Sequence, residues 1–161
     1  MARIDATYPA LVQFAGCHQL TFRPWVGNYR LSVGFKCEVA MPSREIVEAF
    51  AKRLEDGDFV GAILDYYTPD TATYENLAEP VSGRDKLADK ERGVLAAFKE
   101  VTAVRLGPSL IDGDIVASRW KFSFTGADGA TRTLEEIAWQ TWRGNEIIEE
   151  RFFYDPKQLG R

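Results

Sequence analysis

The last third of the chain most limits what it can fold into. Four runs that alternate apolar and polar residues, 102–111, 115–125, 131–142 and 146–154, follow one another with the polar breaks Asp112-Gly113-Asp114, Gly126-Ala127-Asp128-Gly129 and Arg143-Gly144-Asn145 between them. Turn residues of this kind between period-2 segments predict consecutive hairpins, and hence an antiparallel meander. One face of such a sheet is apolar and must be covered. The cover stands immediately upstream in the chain.

Ser43 is a good helix N-cap, and Ile46, Val47, Phe50, Ala51 and Leu54 follow it at helical spacing, which predicts a first helix over 43–56. Asp56-Gly57-Asp58 breaks that helix. Asp58 then caps a second, short one with Phe59, Ile63 and Leu64 on its apolar face, and Thr68-Pro69-Asp70 is expected to end it. Residues 72–77 alternate like a short strand, 79–83 read as a turn, and 84–101 carry Leu87, Val94, Leu95 and Phe98 on one face of a third, longer helix. The predicted order is ααβαββββ. It describes an α+β fold, a cone-shaped barrel in which a curved antiparallel sheet wraps around three N-terminal helices.

A chain of 161 residues with 45% apolar content is long enough to bury a full core in one domain without disulfides or metals. With Lys+Arg 20 against Asp+Glu 24, the net charge of −4 offers no electrostatic footprint for nucleic acid or an anionic membrane. No run of 18 apolar residues occurs, and the N-terminus lacks a signal-peptide pattern. A cytoplasmic location is expected.

Residues 1–40 differ in kind from the rest of the chain. They hold both cysteines, Cys17 and Cys37, the only histidine, His18, and just two of the 24 acidic residues. A hairpin about Gly27-Asn28 is conceivable there, with Pro24 confining its strand to an edge. Two free thiols fit a cytosolic chain better than a Cys17–Cys37 bridge. The composition shift at Met41 divides the chain into an N-terminal extension, 1–40, and a domain, 41–161, with Met41-Pro42-Ser43 resembling the start of a bacterial domain.

Several short motifs resemble, in order and spacing, the polyketide-cyclase (SnoaL-like) branch of the nuclear transport factor 2-like superfamily. They are Leu54-Glu-Asp-Gly-Asp-Phe59, Tyr66-Tyr67-Thr-Pro-Asp70, Pro80-Val-Ser-Gly-Arg84, Asp112-Gly-Asp114, Trp142-Arg-Gly-Asn-Glu-Ile147 and Phe153-Tyr-Asp-Pro156. The resemblance spans 41 to 156 and implies the cone fold, while activity varies widely among relatives. Tyr74-Glu75-Asn76 followed by Pro80-Val-Ser-Gly83 is also similar to limonene epoxide hydrolase, in which the Tyr and Asn hold the attacking water. That enzyme's Asp-Arg-Asp set falls here on Phe122, Trp120 and Phe152, none of which can act as acid, base or charge partner. Its mechanism does not carry over, but the resemblance implies the direction in which these side chains point.

With Tyr74, Asn76, Trp120, Phe122 and Phe152 inward, period-2 alternation brings Leu134, Glu136 and Ala138 inward on one strand and Glu150 and Tyr154 on another. Two carboxyls in an aromatic cavity are candidates for acid and base, because burial and mutual repulsion raise carboxyl pKa values towards neutrality. Tyr74 is then the expected hydrogen-bond donor to an oxyanion, and Asn76, Trp120, Phe122, Leu134, Phe152 and Tyr154 the expected ligand contacts. The opposite parity puts Ile137, Trp139 and Thr141 on the convex face, which predicts a homodimer through that surface.

From Met41 onward the chain has no histidine and no cysteine, which excludes serine or cysteine nucleophiles activated by histidine and leaves no zinc ligands. The carboxylates do not form a calcium loop, and no glycine pattern cradles a phosphate. No metal and no cofactor is implied. Two classes of function stay open: a cofactor-independent isomerase, cyclase or dehydratase using Glu136 or Glu150, and a noncatalytic protein that binds a small apolar molecule.

Overall fold

A computed structural model describes residues 41–159; the expectations for Cys17, His18, Cys37 and the Gly27-Asn28 hairpin lie outside the described residues. The described part forms helices α1 (Arg44–Glu55), α2 (Phe59–Tyr66) and α3 (Arg84–Ala97) and strands β1 (Tyr67–Glu75), β2 (Val81–Ser82), β3 (Glu100–Arg105), β4 (Leu110–Asp112), β5 (Ile115–Thr125), β6 (Thr131–Arg143) and β7 (Glu146–Phe153), then a 3-10 turn, Pro156–Leu159. The strands make one open, curved sheet in the order β2-β1-β7-β6-β5-β3, with β4 also on β5. This is the expected α+β cone architecture, with one refinement: β1 runs parallel to β7, so the sheet is mixed.

Local chemistry explains the helical part. The Ser43 hydroxyl accepts the Ile46 N–H at 3.3 Å, the Asp58 carboxylate accepts the Gly61 N–H at 3.1 Å, and Arg53 of α1 ties Asp58 and Asp65 together across the α1–α2 junction. Contrary to expectation, Thr68-Pro69-Asp70 does not end α2 in a loop. The chain turns directly into β1 at Tyr67, with Pro69 and Asp70 in an irregular stretch of the ladder where a missing N–H costs nothing. Helix α3 stops at Ala97, short of residue 101, because Glu100 to Arg105 pair with Thr125 to Trp120 of β5. The expected strand over 102–111 is split at Gly107-Pro108, where Gly107 takes φ +109°.

Two buried clusters lie between helices and sheet. In one, Val47 and Phe50 of α1 and Ala62 and Ile63 of α2 meet Tyr67, Trp142 and Ile147; in the other, Ala51 and Phe59 meet Trp120 and Ala138, with Phe122 and Phe152 packed against them. Phe50 and Trp142 pack edge to face with ring centroids 5.8 Å apart. A register shift between Thr141 and Trp142 pairs Trp142 with Ile147 and Thr141 with Glu149, leaving Ile148 as the extra residue of a β-bulge. The bulge lets Ile147 and Glu150, three residues apart, both face the interior.

Candidate functional site

The ladder pairings define the inner face row by row. One row crosses four strands as Val116, Gln140, Glu150 and Thr73; the next as Ser118, Ala138, Phe152 and Glu75; beyond these Trp120 lies beside Glu136 and Phe122 beside Leu134. Glu136 and Glu150 are both buried, 8% and 2% exposed. Glu136 stands four positions from Gln140, the neighbour of Glu150, which corresponds to about 13 Å along the strand. The two carboxyls are not hydrogen-bonded to each other, but the charge of Glu150 acts on Glu136. Ala138, between them, contributes only a methyl group to the floor.

Their surroundings differ. The Glu150 carboxyl accepts hydrogen bonds from the Tyr67 hydroxyl and, at 2.7 Å, from the Gln140 amide, whose own oxygen accepts the Trp142 indole N–H at 3.1 Å. Glu136 has no hydrogen-bonding partner among the described residues and is paired with Trp120 across the ladder. Burial pushes Glu150 up to about 7, opposed by the two hydrogen bonds that favour its anion. Burial, followed by the charges of Glu150 and Glu75, pushes Glu136 up to about 8, with Lys90 pulling the other way. The negative charge of Glu150 therefore opposes ionisation of Glu136. Burial and the Glu150 charge hold the Tyr67 phenol well above its ordinary value, so it remains a donor.

At the rim, Lys90 of α3 pairs with Glu75 at 2.8 Å, and the half-buried Glu91 is raised mainly by burial. Among the described residues no three metal-ligating side chains cluster.

Trp120, Phe122, Leu134, Glu136, Phe152 and Glu150 lie on the inner face, where the alternation of the sequence puts them. Tyr74 and Asn76 do not. Thr73 pairs with Glu150 and Tyr74 with Arg151, so Tyr74 shares the outer face with Arg151, whose guanidinium carbon lies 4.0 Å from the centre of its ring. Asn76, at φ +52°, turns the chain out of β1; its side-chain oxygen accepts the Tyr154 N–H at 3.0 Å and so closes a backbone corner. Tyr154 lies just past β7 and is half-buried. The resemblance to limonene epoxide hydrolase implied the inward direction, but β1 turns Tyr67, Thr73 and Glu75 inward, the opposite parity to Tyr74.

Sequence reasoning missed Tyr67, Gln140 and Trp142 as site residues. Gln140 and Trp142 share the parity of Glu136, so the alternation already contained them. Tyr67 was hidden because the resemblance put the opposite parity of β1, that of Tyr74 and Asn76, inward.

Comparison with known proteins agrees with this architecture. Residues 47–150 match the SnoaL-like domain family model, and the chain belongs to that family, within the nuclear transport factor 2-like superfamily. A structure from Mesorhizobium loti, named as a SnoaL-like polyketide cyclase, is 31% identical, with 68% of this chain and 97% of that one covered at a TM-score of 0.58. A Jannaschia protein given the same class name is 15% identical over 72% and 90% of the two chains, with a TM-score of 0.61. TerC, co-crystallised with polyporic acid, is 18% identical over 73% and 96%, with a TM-score of 0.62. The last two share the fold. No curated protein matches the chain.

Proposed function

We propose that the domain is a cofactor-independent acid–base catalyst acting on a small, conjugated carbonyl compound, with Glu150 as base and Glu136 as the neutral acid that binds the developing oxyanion. The observation that carries this reading is the contrast between two buried carboxyls on one face: Glu150 with both oxygens accepting hydrogen bonds, Glu136 with no protein partner among the described residues. A carboxylate held by donors and poised near neutrality takes a proton efficiently. A protonated carboxyl without an acceptor offers its O–H to a bound carbonyl. Glu150 removes a proton from carbon, the electron pair moves through the conjugated system to the carbonyl oxygen, and that oxygen accepts the Glu136 hydrogen bond. Return of the proton at another carbon gives isomerisation; attack of the carbanion on an internal carbonyl gives cyclisation.

The name of the Mesorhizobium loti relative supports a polyketide-like substrate for this chain, and half-buried Phe122 and Phe152 supply the apolar walls.

The test is proton exchange at carbon. A panel of one- to three-ring ketones and diketones is incubated with the protein in D2O and followed by NMR. Exchange with some member of the panel, lost about 100-fold or more in Glu150→Gln, supports the proposal. Saturable binding without exchange in any member would replace it by the noncatalytic ligand-binding reading.

Outer-face packing supports a second element of the proposal, a homodimer through the convex sheet. Ile137, Trp139 and Phe153 are 45%, 48% and 44% exposed, and Ile137 and Phe153 are paired across β6 and β7. No helix among the described residues is long and apolar enough to cross a membrane.

A further inference from the structure

The Trp142–Gln140–Glu150 contacts have a direction that can be read without placing a hydrogen by choice. An indole N–H only donates, so the Gln140 atom it meets at 3.1 Å must be the amide oxygen. The other end of that amide is then NH2, and it meets Glu150 Oε1 at 2.7 Å. An oxygen that accepts from an amide NH2 at this distance has no acceptor to receive a proton of its own in that direction. Glu150 Oε2 faces the Tyr67 hydroxyl, a group able both to donate and to accept.

We infer that Gln140 and Trp142 are positioning residues which lock Glu150 Oε1 as a pure acceptor, so that the proton Glu150 takes up resides on Oε2, the oxygen shared with Tyr67. This rests on the proposed role of Glu150 for its catalytic meaning, but not for its physical content. Trp142 is fully buried among Phe50, Tyr66 and Ile147, so its ring cannot swing away. Gln140, 2% exposed, has no alternative partner in solvent. The indole therefore fixes which end of the amide Glu150 sees; with the amide reversed, an oxygen would face Oε1 and favour the protonated acid.

The charged and titratable groups facing Glu150 are Tyr67 and Glu75 of β1 and Glu136 of β6; Glu91 of α3 faces Tyr67. None of them is altered by the variants chosen. Gln140→Met keeps the volume and removes the donor; Trp142→Phe keeps an aromatic core and removes the indole N–H.

The experiment is a carbon-13 NMR titration of protein labelled at the glutamate carboxyls, with the Glu150 signal assigned by its loss in Glu150→Gln. Expected is a titration midpoint raised by at least about one pH unit in Gln140→Met, since a charge-assisted hydrogen bond to the anion is lost. A smaller rise in the same direction is expected in Trp142→Phe, as the amide is freed to reverse. If Trp142→Phe does not fold, Gln140→Met decides alone, with Gln140→Glu as its companion, in which an added carboxyl facing Oε1 also raises the midpoint. A Glu150 midpoint unmoved in folded Gln140→Met overturns the inference. A Glu150 that titrates as expected in a protein with no exchange activity would instead refute the proposed catalysis and leave the hydrogen-bond chain standing.

Discussion

Replacing Glu136 with glutamine is expected to change how stability depends on pH. In the fold this carboxyl titrates at about 8, against an ordinary value of 4.5. Between those values the folded protein holds a proton that the unfolded chain has lost, so the unfolded state binds fewer protons and stability falls as pH rises. For one group with these two midpoints, linkage gives a loss of about 3 kcal/mol between about pH 5.5 and about pH 8.5. Glutamine keeps the shape and cannot ionise, so the variant lacks that loss. Glu150, also raised by burial, contributes a slope of the same sign in both proteins. Urea unfolding of both proteins at the two pH values measures the difference. With a slope near about 2 kcal/mol per molar urea, the variant's midpoint should gain about 1.5 M on the wild type between the lower and the higher pH. Parallel pH dependences, agreeing within about 1 kcal/mol, would refute a buried, partnerless Glu136 and with it the neutral acid of the proposed mechanism.

Three further outcomes rest on the placement of other residues. Tyr74→Phe should leave ligand binding and any exchange activity within about twofold of wild type, since its ring lies under Arg151 on the outer face; a loss of orders of magnitude in the exchange assay would return Tyr74 to the site. Trp139→Glu should keep the fold and convert a dimer to a monomer, read by light scattering after size exclusion, and a wild-type protein already monomeric at tens of micromolar would dispose of the convex-face dimer. Ser43→Ala should cost about 1 kcal/mol in urea unfolding by removing the cap that accepts the Ile46 N–H, and no change would mean that α1 does not depend on its cap.

What the amino-acid sequence determined by itself is what local chemistry decides. Turn residues at 112–114, 126–129 and 143–145 bounded β5, β6 and β7 to within a residue or so of where they lie. Strict alternation along β5 and β6 then put Trp120, Phe122, Leu134, Glu136 and Ala138 on one face and Ile137 and Trp139 on the other. These strands pair with their chain neighbours, so no distant contact is needed to place them. The tertiary structure decided the rest of the site. Strand β1 joins the sheet beside β7, about 80 residues away in the chain, through an irregular register. The bulge at Ile148 resets which side chains of β7 face inward. It lets Ile147 and Glu150 share the interior, and the pairing of β1 with β7 puts Tyr67 against Glu150 and Tyr74 outside beside Arg151. A bulge is a property of two strands in register, and period-2 alternation within one strand carries no trace of it.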